Sequence, residues 1–226
     1  MSSNEEKNYS WLKEYSVKRG ITLFGVADFT KYNRSLNLPH KEIDGLMYAI
    51  SLGLRLSQRV LAGIEDGPTN HYAQHYRQAN MELDSVAFSI SNLIQEDGYN
   101  SLPIPASQTV NKEKQQGHLS HKHVGVLAGH GWIGKNNLLV NPVYGSQVRY
   151  VTILTDLPLS LDHKVENDCG NCSTCVDACP VKALGNSALE YDFKRCFQKL
   201  DSFYRERKLE AHICGICVKA CEGKRS

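Results

Sequence analysis

No cysteine occurs before residue 169, so nothing in the first two thirds of this chain can be stapled by a disulfide. A block of that length must instead be held by an ordinary hydrophobic core, which it is long enough to bury. No apolar run approaches the roughly 20 residues that a membrane-spanning helix needs. The opening Met-Ser-Ser-Asn-Glu-Glu-Lys is too polar for a secretory signal. Neither sign of charge dominates: 26 Lys and Arg against 24 Asp and Glu leave a formal net charge of +2. That balance lacks the concentrated basic excess of a nucleic-acid binder. No G-x-G-x-x-G follows a strand and no P-loop is present, so neither a nicotinamide nor an ATP site is signalled. These absences predict a protein of the reducing cytoplasm with no membrane partner.

What the chain does carry is eight cysteines, all from Cys169 onward. Cys169, Cys172, Cys175 and Cys179 form C-x2-C-x2-C-x3-C, and Pro180 follows directly. Cys214, Cys217 and Cys221 form C-x2-C-x3-C, with Cys196 upstream. This is the bacterial ferredoxin spacing, in which three close thiolates grip one [4Fe–4S] cluster and the fourth ligates the other. Two intervening residues let a tight loop aim successive sulfurs at neighbouring corners of a small cuboid. The spacing assigns Cys169, Cys172, Cys175 and Cys221 to one cluster. It assigns Cys179, Cys196, Cys214 and Cys217 to the second. Zinc would favour two separated C-x2-C pairs, and disulfides would need an oxidising compartment. Eight thiols fill two clusters with none left over.

Taken in order, Trp11, Leu12 and Tyr15 lie at helical spacing before Gly20, and Ile21–Val26 reads as a short buried strand. Lys31–Asp44 is polar and reads as loop, and Leu46–Leu56 as a central strand. The longest element is an amphipathic helix of about six turns, in which Tyr72, Tyr76, Ala79, Leu83, Val86, Ile90 and Ile94 recur every three or four residues. Leu102–Ala106 is extended, Asn111–His118 a charged loop, and His121–Ala128 a helix. Leu138–Val140 and Val148–Thr155 read as strands, joined through Asn141-Pro142 and Gly145 into a hairpin. Alternation of strand and helix is too uneven for a doubly wound parallel sheet, so the class is α/β in the mixed, α+β sense. Pro158 marks a boundary. Residues 1–160 then form an α/β domain that binds the cofactor or substrate, and 161–226 a small ferredoxin-like domain.

Ala128–Leu139 is dense in glycine, which allows close backbone approach to a ligand and free N–H groups for an anion. Lys135 adds a point charge suited to phosphate or carboxylate. A helix C-cap followed by a turn explains the same residues, and Gly145, Ser146 and Arg149 are equally open to either reading. His118, His121 and His123 lack the i, i+4 spacing of a helical zinc site.

The stretch Ala128–Leu139, then Pro142–Ser146 and Thr155–Leu159, followed by the double cysteine motif, resembles epoxyqueuosine reductases and, more distantly, corrinoid-dependent reductive dehalogenases. The resemblance is strong over roughly residues 120 to 221 and thin before that. It implies a nitroreductase-like domain under a cobalamin, fed with electrons by two [4Fe–4S] clusters. It places Gly129, Gly131, Trp132, Gly134, Lys135 and Asn136 beside the corrinoid, with Tyr144, Gly145, Ser146 and Arg149 on the adjoining hairpin. An unidentified low-potential electron donor and a small-molecule or modified-nucleoside substrate are the implied partners.

Three departures qualify it. Those enzymes carry Asp-Tyr-His early in the long helix, where this chain has His75-Tyr76-Arg77, so the acid that protonates the substrate is missing. Tyr76, on the apolar stripe, is the expected proton donor in its place, with His75 second. The helical repeats that help hold tRNA have no counterpart before Ser226, which argues against tRNA. Glu222 stands where a second Cys-Pro is expected. The leading expectation is an iron–sulfur oxidoreductase that passes electrons to a corrinoid or substrate on the N-terminal domain. The alternative is an electron carrier or accessory protein with no substrate of its own.

Overall fold

The computed structural model describes residues 3–111, 113 and 115–223. The chain end at Ser226 and residues 112 and 114 of the expected charged loop lie outside them. Helix α1 (Asn4–Lys18) begins in a capping box. The Ser3 hydroxyl accepts from the Glu6 N–H, and the Glu6 carboxylate accepts from the Ser3 N–H. Strand β1 (Leu23–Asp28) is followed by the one-turn α2 (His40–Ile43), a turn within the segment expected as loop. Strand β2 (Tyr48–Arg55) and short α3 (Gln58–Ala62) lead into α4 (Asn70–Glu96), 27 residues long. The Thr69 hydroxyl accepts from the Tyr72 N–H at 3.0 Å and so caps α4. Strand β3 (Ser101–Ile104), α5 (His121–Leu127), β4 (Trp132–Ile133), β5 (Leu139–Val140) and β6 (Val148–Thr155) follow.

A four-stranded sheet has the order β1-β2-β6-β3, antiparallel between β1 and β2 and between β3 and β6. Val26 pairs with Ile50, and Leu102 with Leu154. Alternation sends the two faces of these strands into two separate cores. Val26, Ile50, Leu52, Val151 and Ile153 pack with Leu83, Val86, Ile90 and Ile94 of α4 and Leu12 of α1. Ala27, Ala49, Ile104 and Leu154 pack with Val124 and Ala128 at α5. Pro103 is accommodated because β3 lies at the end of the strand order, where a missing N–H breaks no ladder.

The hairpin expected from Leu138–Val140 and Val148–Thr155 does not form. Residues Leu139 and Val140 pair instead with Ile133 and Trp132, across a turn in which Asn137 takes φ of +55°. Strand β6 is buried along most of its length and lies between β2 and β3, so its hydrogen-bonding edges are already taken. From Glu166 onward the described residues contain α6 (Thr174–Asp177), α7 (Phe193–Glu206), α8 (Ile216–Ala220) and a 3-10 turn, and no strand. The expected ferredoxin likeness of that part therefore lies in its cysteine spacing rather than in strands.

The chain packs into two compact units, each assembled from separated stretches. The first contains Met1–Leu54, Asn80–His130 and Arg149–Val165; the second contains Arg55–Ala79, Gly131–Val148 and Glu166–Ser226. The second unit thus joins the cysteine segment to two stretches from earlier in the chain. No described helix is long and apolar enough to cross a membrane.

Candidate functional site

All eight thiols lie in the second unit and all are free. Among the described residues, no three His, Cys, Asp or Glu side chains converge tightly enough to hold a single metal ion. Several of the thiols lie close enough to raise one another's pKa. Burial pushes Cys175 up to about 11, with Cys221, Cys169 and Cys172 adding to the rise. Burial also raises Cys221, and again Cys169 and Cys172 contribute. In the second set burial pushes Cys214 up to about 11, helped by Cys196 and Cys179. Burial drives Cys217 higher still, with Cys214 and Cys196 the main neighbours. Cys175 contributes to Cys217 as well, so the two sets adjoin.

The loops around the first set are tied down by side chains from the Gly131–Val148 stretch. Trp132 Nε1 donates to Cys169 Sγ at 3.4 Å. Lys135 Nζ donates to the carbonyls of Gly170 and Cys172 at 2.8 and 2.9 Å, holding the first C-x2-C turn. The Cys172 thiol is drawn down by its bond with Thr174, and Lys135 adds to this. Ser146 N–H donates to the Cys221 carbonyl at 3.1 Å. From the Arg55–Ala79 stretch, the carbonyls of Ala62 and Ile64 accept from Lys219 Nζ on α8. Gly215, beside Cys214, lies so close to Tyr72 and Ile64 that a Cβ would fall 2.6 Å from the tyrosine ring.

A cavity of about 910 Å³ opens beside the first set, with Cys169, Cys172 and Cys221 in its wall. Trp132, Val140, Pro142, Val143 and Ile216 give it an apolar lining, and Glu65, Asp168 and Glu222 are also in its wall, Asp168 with one carboxylate oxygen accepting the Gly170 N–H at 2.7 Å. Its size is at the upper end of the roughly 300–1,000 Å³ usual for small-molecule and cofactor sites.

Of the ten residues that the resemblance places at a corrinoid, only Trp132 lines this cavity. The space in front of the glycines is filled by the chain itself. A Cβ on Gly131 would lie 1.9 Å from the Val140 carbonyl oxygen, and one on Gly145 2.0 Å from that of Cys221. Gly134 meets Val140 and Cys169 in the same way, and Gly129 meets the His163 carbonyl. Asn136 is buried and donates to Ser146 Oγ at 3.0 Å. Tyr144 lies under the Arg55 guanidinium, 4.9 Å from its ring centre. Arg149 belongs to the first unit, where it donates to Asn80 Oδ1 at 3.0 Å. At these positions the glycines permit close chain-on-chain packing.

The expected proton donors are not in the cavity wall either. His75 Nε2 accepts the Ser57 N–H at 2.9 Å, at the start of α3, so that nitrogen carries no proton. Burial lowers the His75 pKa further. Tyr76 likewise contributes nothing to the lining. The carboxylates of Glu65, Asp168 and Glu222 do, and sequence reasoning passes over the first two. Asp168 directly precedes Cys169, a signal present in the sequence; Glu65 reaches the site only through the fold. Tyr191 also escapes the sequence reading: it hydrogen-bonds Cys196 five residues further on. The histidines near α5 each have separate partners. His118 meets Asn37 and Gln108, His121 meets Thr152 and Pro105, and His123 meets Ser120.

The arrangement defines a class first: the fold is the one shared by reductive dehalogenases and epoxyqueuosine reductases. A reductive dehalogenase described in terms of B12-dependent dehalogenation superposes with a TM-score of 0.75 at 18% identity, over 97% of this chain and 32% of its own. An epoxyqueuosine reductase solved with an epoxyqueuosine-modified tRNA-Tyr stem loop gives a TM-score of 0.60 at 21% identity, over 94% of this chain and 64% of its own. In sequence the chain resembles epoxyqueuosine reductases in particular. It is 35% identical to that of Leadbetterella byssophila over 103 residues, 42% of this chain and 33% of the relative. The matched part thus spans about a third of the length of that curated relative. No family model matches the sequence.

Proposed function

We propose that this chain is a reductase of the epoxyqueuosine reductase type, in which two [4Fe–4S] clusters deliver electrons to the cavity beside Cys169, Cys172 and Cys221. The observation that supports it most is the double ferredoxin-type spacing of eight free thiols, three of which, Cys169, Cys172 and Cys221, line the cavity. The donor chemistry fits: each set offers four sulfurs and no competing imidazole. Burial resists bare thiolates at Cys175, Cys196, Cys214, Cys217 and Cys221, a cost that coordination to iron would offset. When bound, the clusters supply one-electron transfer. Lys135 and Lys219 do the structural work of holding the two cysteine loops in place.

A large, flat, partly apolar cofactor of the corrinoid kind fits the cavity against Trp132, Val140, Pro142, Val143 and Ile216. Such a group would supply a strong one-electron donor to substrate. Protons for the reduction come, in this reading, from Glu65, Asp168 or Glu222 in place of His75 and Tyr76. A modified nucleoside, as in the relative solved with a tRNA stem loop, is the substrate class this resemblance favours.

The cluster assignment is tested by Cys172→Ser and Cys217→Ser after anaerobic purification. Iron per chain is expected to fall by about half in each, with a different half of the reduced-state EPR spectrum lost. Iron content unchanged in both variants would remove the two-cluster reading. Cobalt counted in the same samples from cobalamin-fed cells tests the corrinoid.

A further inference from the structure

The two sets of thiols differ in the polar groups aimed at them. In the set that lines the cavity, Trp132 Nε1–H donates to Cys169 Sγ. Thr174 Oγ1 lies 3.5 Å from Cys172 Sγ. The Ser146 hydroxyl sits against the Cys221 thiol, and its direction is fixed by its other partner. Asn136 Nδ2 donates to Ser146 Oγ at 3.0 Å, while Asn136 Oδ1 accepts the Leu138 N–H at 3.2 Å. That second bond fixes which end of the amide faces the serine. With its oxygen already accepting, Ser146 turns its own proton to the Cys221 sulfur. The set therefore has three side-chain partners, two of them with a donor role fixed by chemistry or geometry.

The other set has fewer. Tyr191 is its one side-chain partner, on Cys196, beside the backbone N–H groups of Ala183, which donates to Cys179 Sγ at 3.3 Å, and of Ile216 on Cys214. Exposure does not separate the sets, since the cavity-side one contains both the exposed Cys172 and the buried Cys175. Reduction adds negative charge to a cluster and its sulfurs. Hydrogen bonds to those sulfurs and contact with water stabilise the more negative state, so both raise the reduction potential.

We infer that Trp132 and Ser146 make the cavity-side set the more easily reduced of the two, and so give electron transfer its direction. With clusters bound, an electron from an external one-electron donor would pass from the Cys179, Cys196, Cys214 and Cys217 set to the Cys169, Cys172, Cys175 and Cys221 set. The first is oxidised by one electron and the second reduced by one, with no bond made or broken. Trp132 and Ser146 are positioning residues in this step: they touch sulfur ligands and leave the substrate untouched. The inference rests on the two-cluster reading above.

An anaerobic redox titration of the full chain, followed by low-temperature EPR, tests it. Two reduction waves are expected, and the one altered by Cys172→Ser identifies the cavity-side set. That wave should lie at the higher potential. Trp132→Phe keeps an aromatic ring and removes the N–H; Ser146→Ala removes the hydroxyl. Each should lower the cavity-side wave and leave the other in place. Because Ser146→Ala also strips a partner from buried Asn136, Trp132→Phe serves as the independent check on folding grounds. Ser146→Thr, which retains a hydroxyl, should restore the potential. A cavity-side wave below the other, or one unmoved by both variants, overturns the inference while leaving the two-cluster reading intact. A chain that holds no iron–sulfur cluster removes both.

Discussion

Gly145 and Gly131 show how a site can depend on side chains that are not there. Gly145 takes φ of +58°, and its Cα stands against the carbonyl of Cys221 and the N–H of Gly223. Both neighbours are backbone, so neither can swing aside as a flexible side chain would. Gly145→Ala is therefore expected to displace Cys221 and to lower the iron per chain toward half, with the loss confined to the EPR signal that Cys172→Ser also removes. Iron content equal to the wild type would show that the loop gives way elsewhere. The glycine spacing is visible in the sequence, but its meaning is not. The same pattern serves a ligand cradle or tight chain-on-chain packing, and only the positions of Val140, Cys221 and His163 decide between them.

Among the elements, α4 is legible in the sequence and the β4–β5 hairpin is not, for a common reason. A 27-residue helix repeats its apolar stripe many times, so the spacing of Leu83, Val86, Ile90 and Ile94 is enough to mark the buried face. Two-residue strands have no period to read. Strand β6 is recognisable by its run of apolar and β-branched residues, yet its partner is not, because pairing depends on which edges the rest of the sheet leaves open. His75 escapes through a similar gap: its position on α4 is foreseeable, whereas the backbone N–H of Ser57 that it accepts comes from another element. For α4 itself, Leu83→Ala removes a fully buried side chain from the larger core of the first unit. It should cost about 2–5 kcal/mol, read as a lower urea midpoint with an unchanged slope. Since the thiols belong to the second unit, iron content in the folded variant should stay as in the wild type.

At the scale of the whole molecule, the cysteines are legible to the residue, and the units that hold them are not. Spacing points to candidate ligands, because a cuboid would impose it, but it says nothing of which distant stretches pack around the loops. Here the wrapping comes from Arg55–Ala79 and Gly131–Val148. A fragment of residues 161–226, the part that reads as a separate domain, lacks Trp132, Lys135, Ser146 and Tyr72. Reconstituted with iron and sulfide, it should take up less iron than the full chain treated alongside it. Equal uptake would show that the cysteine segment is self-sufficient. The interleaving also bears on the order of events at the ribosome. Synthesis runs from the N-terminus, so both bracing stretches emerge before Cys169 does. The residues that brace the cysteine loops are therefore synthesised before any of the thiols they hold.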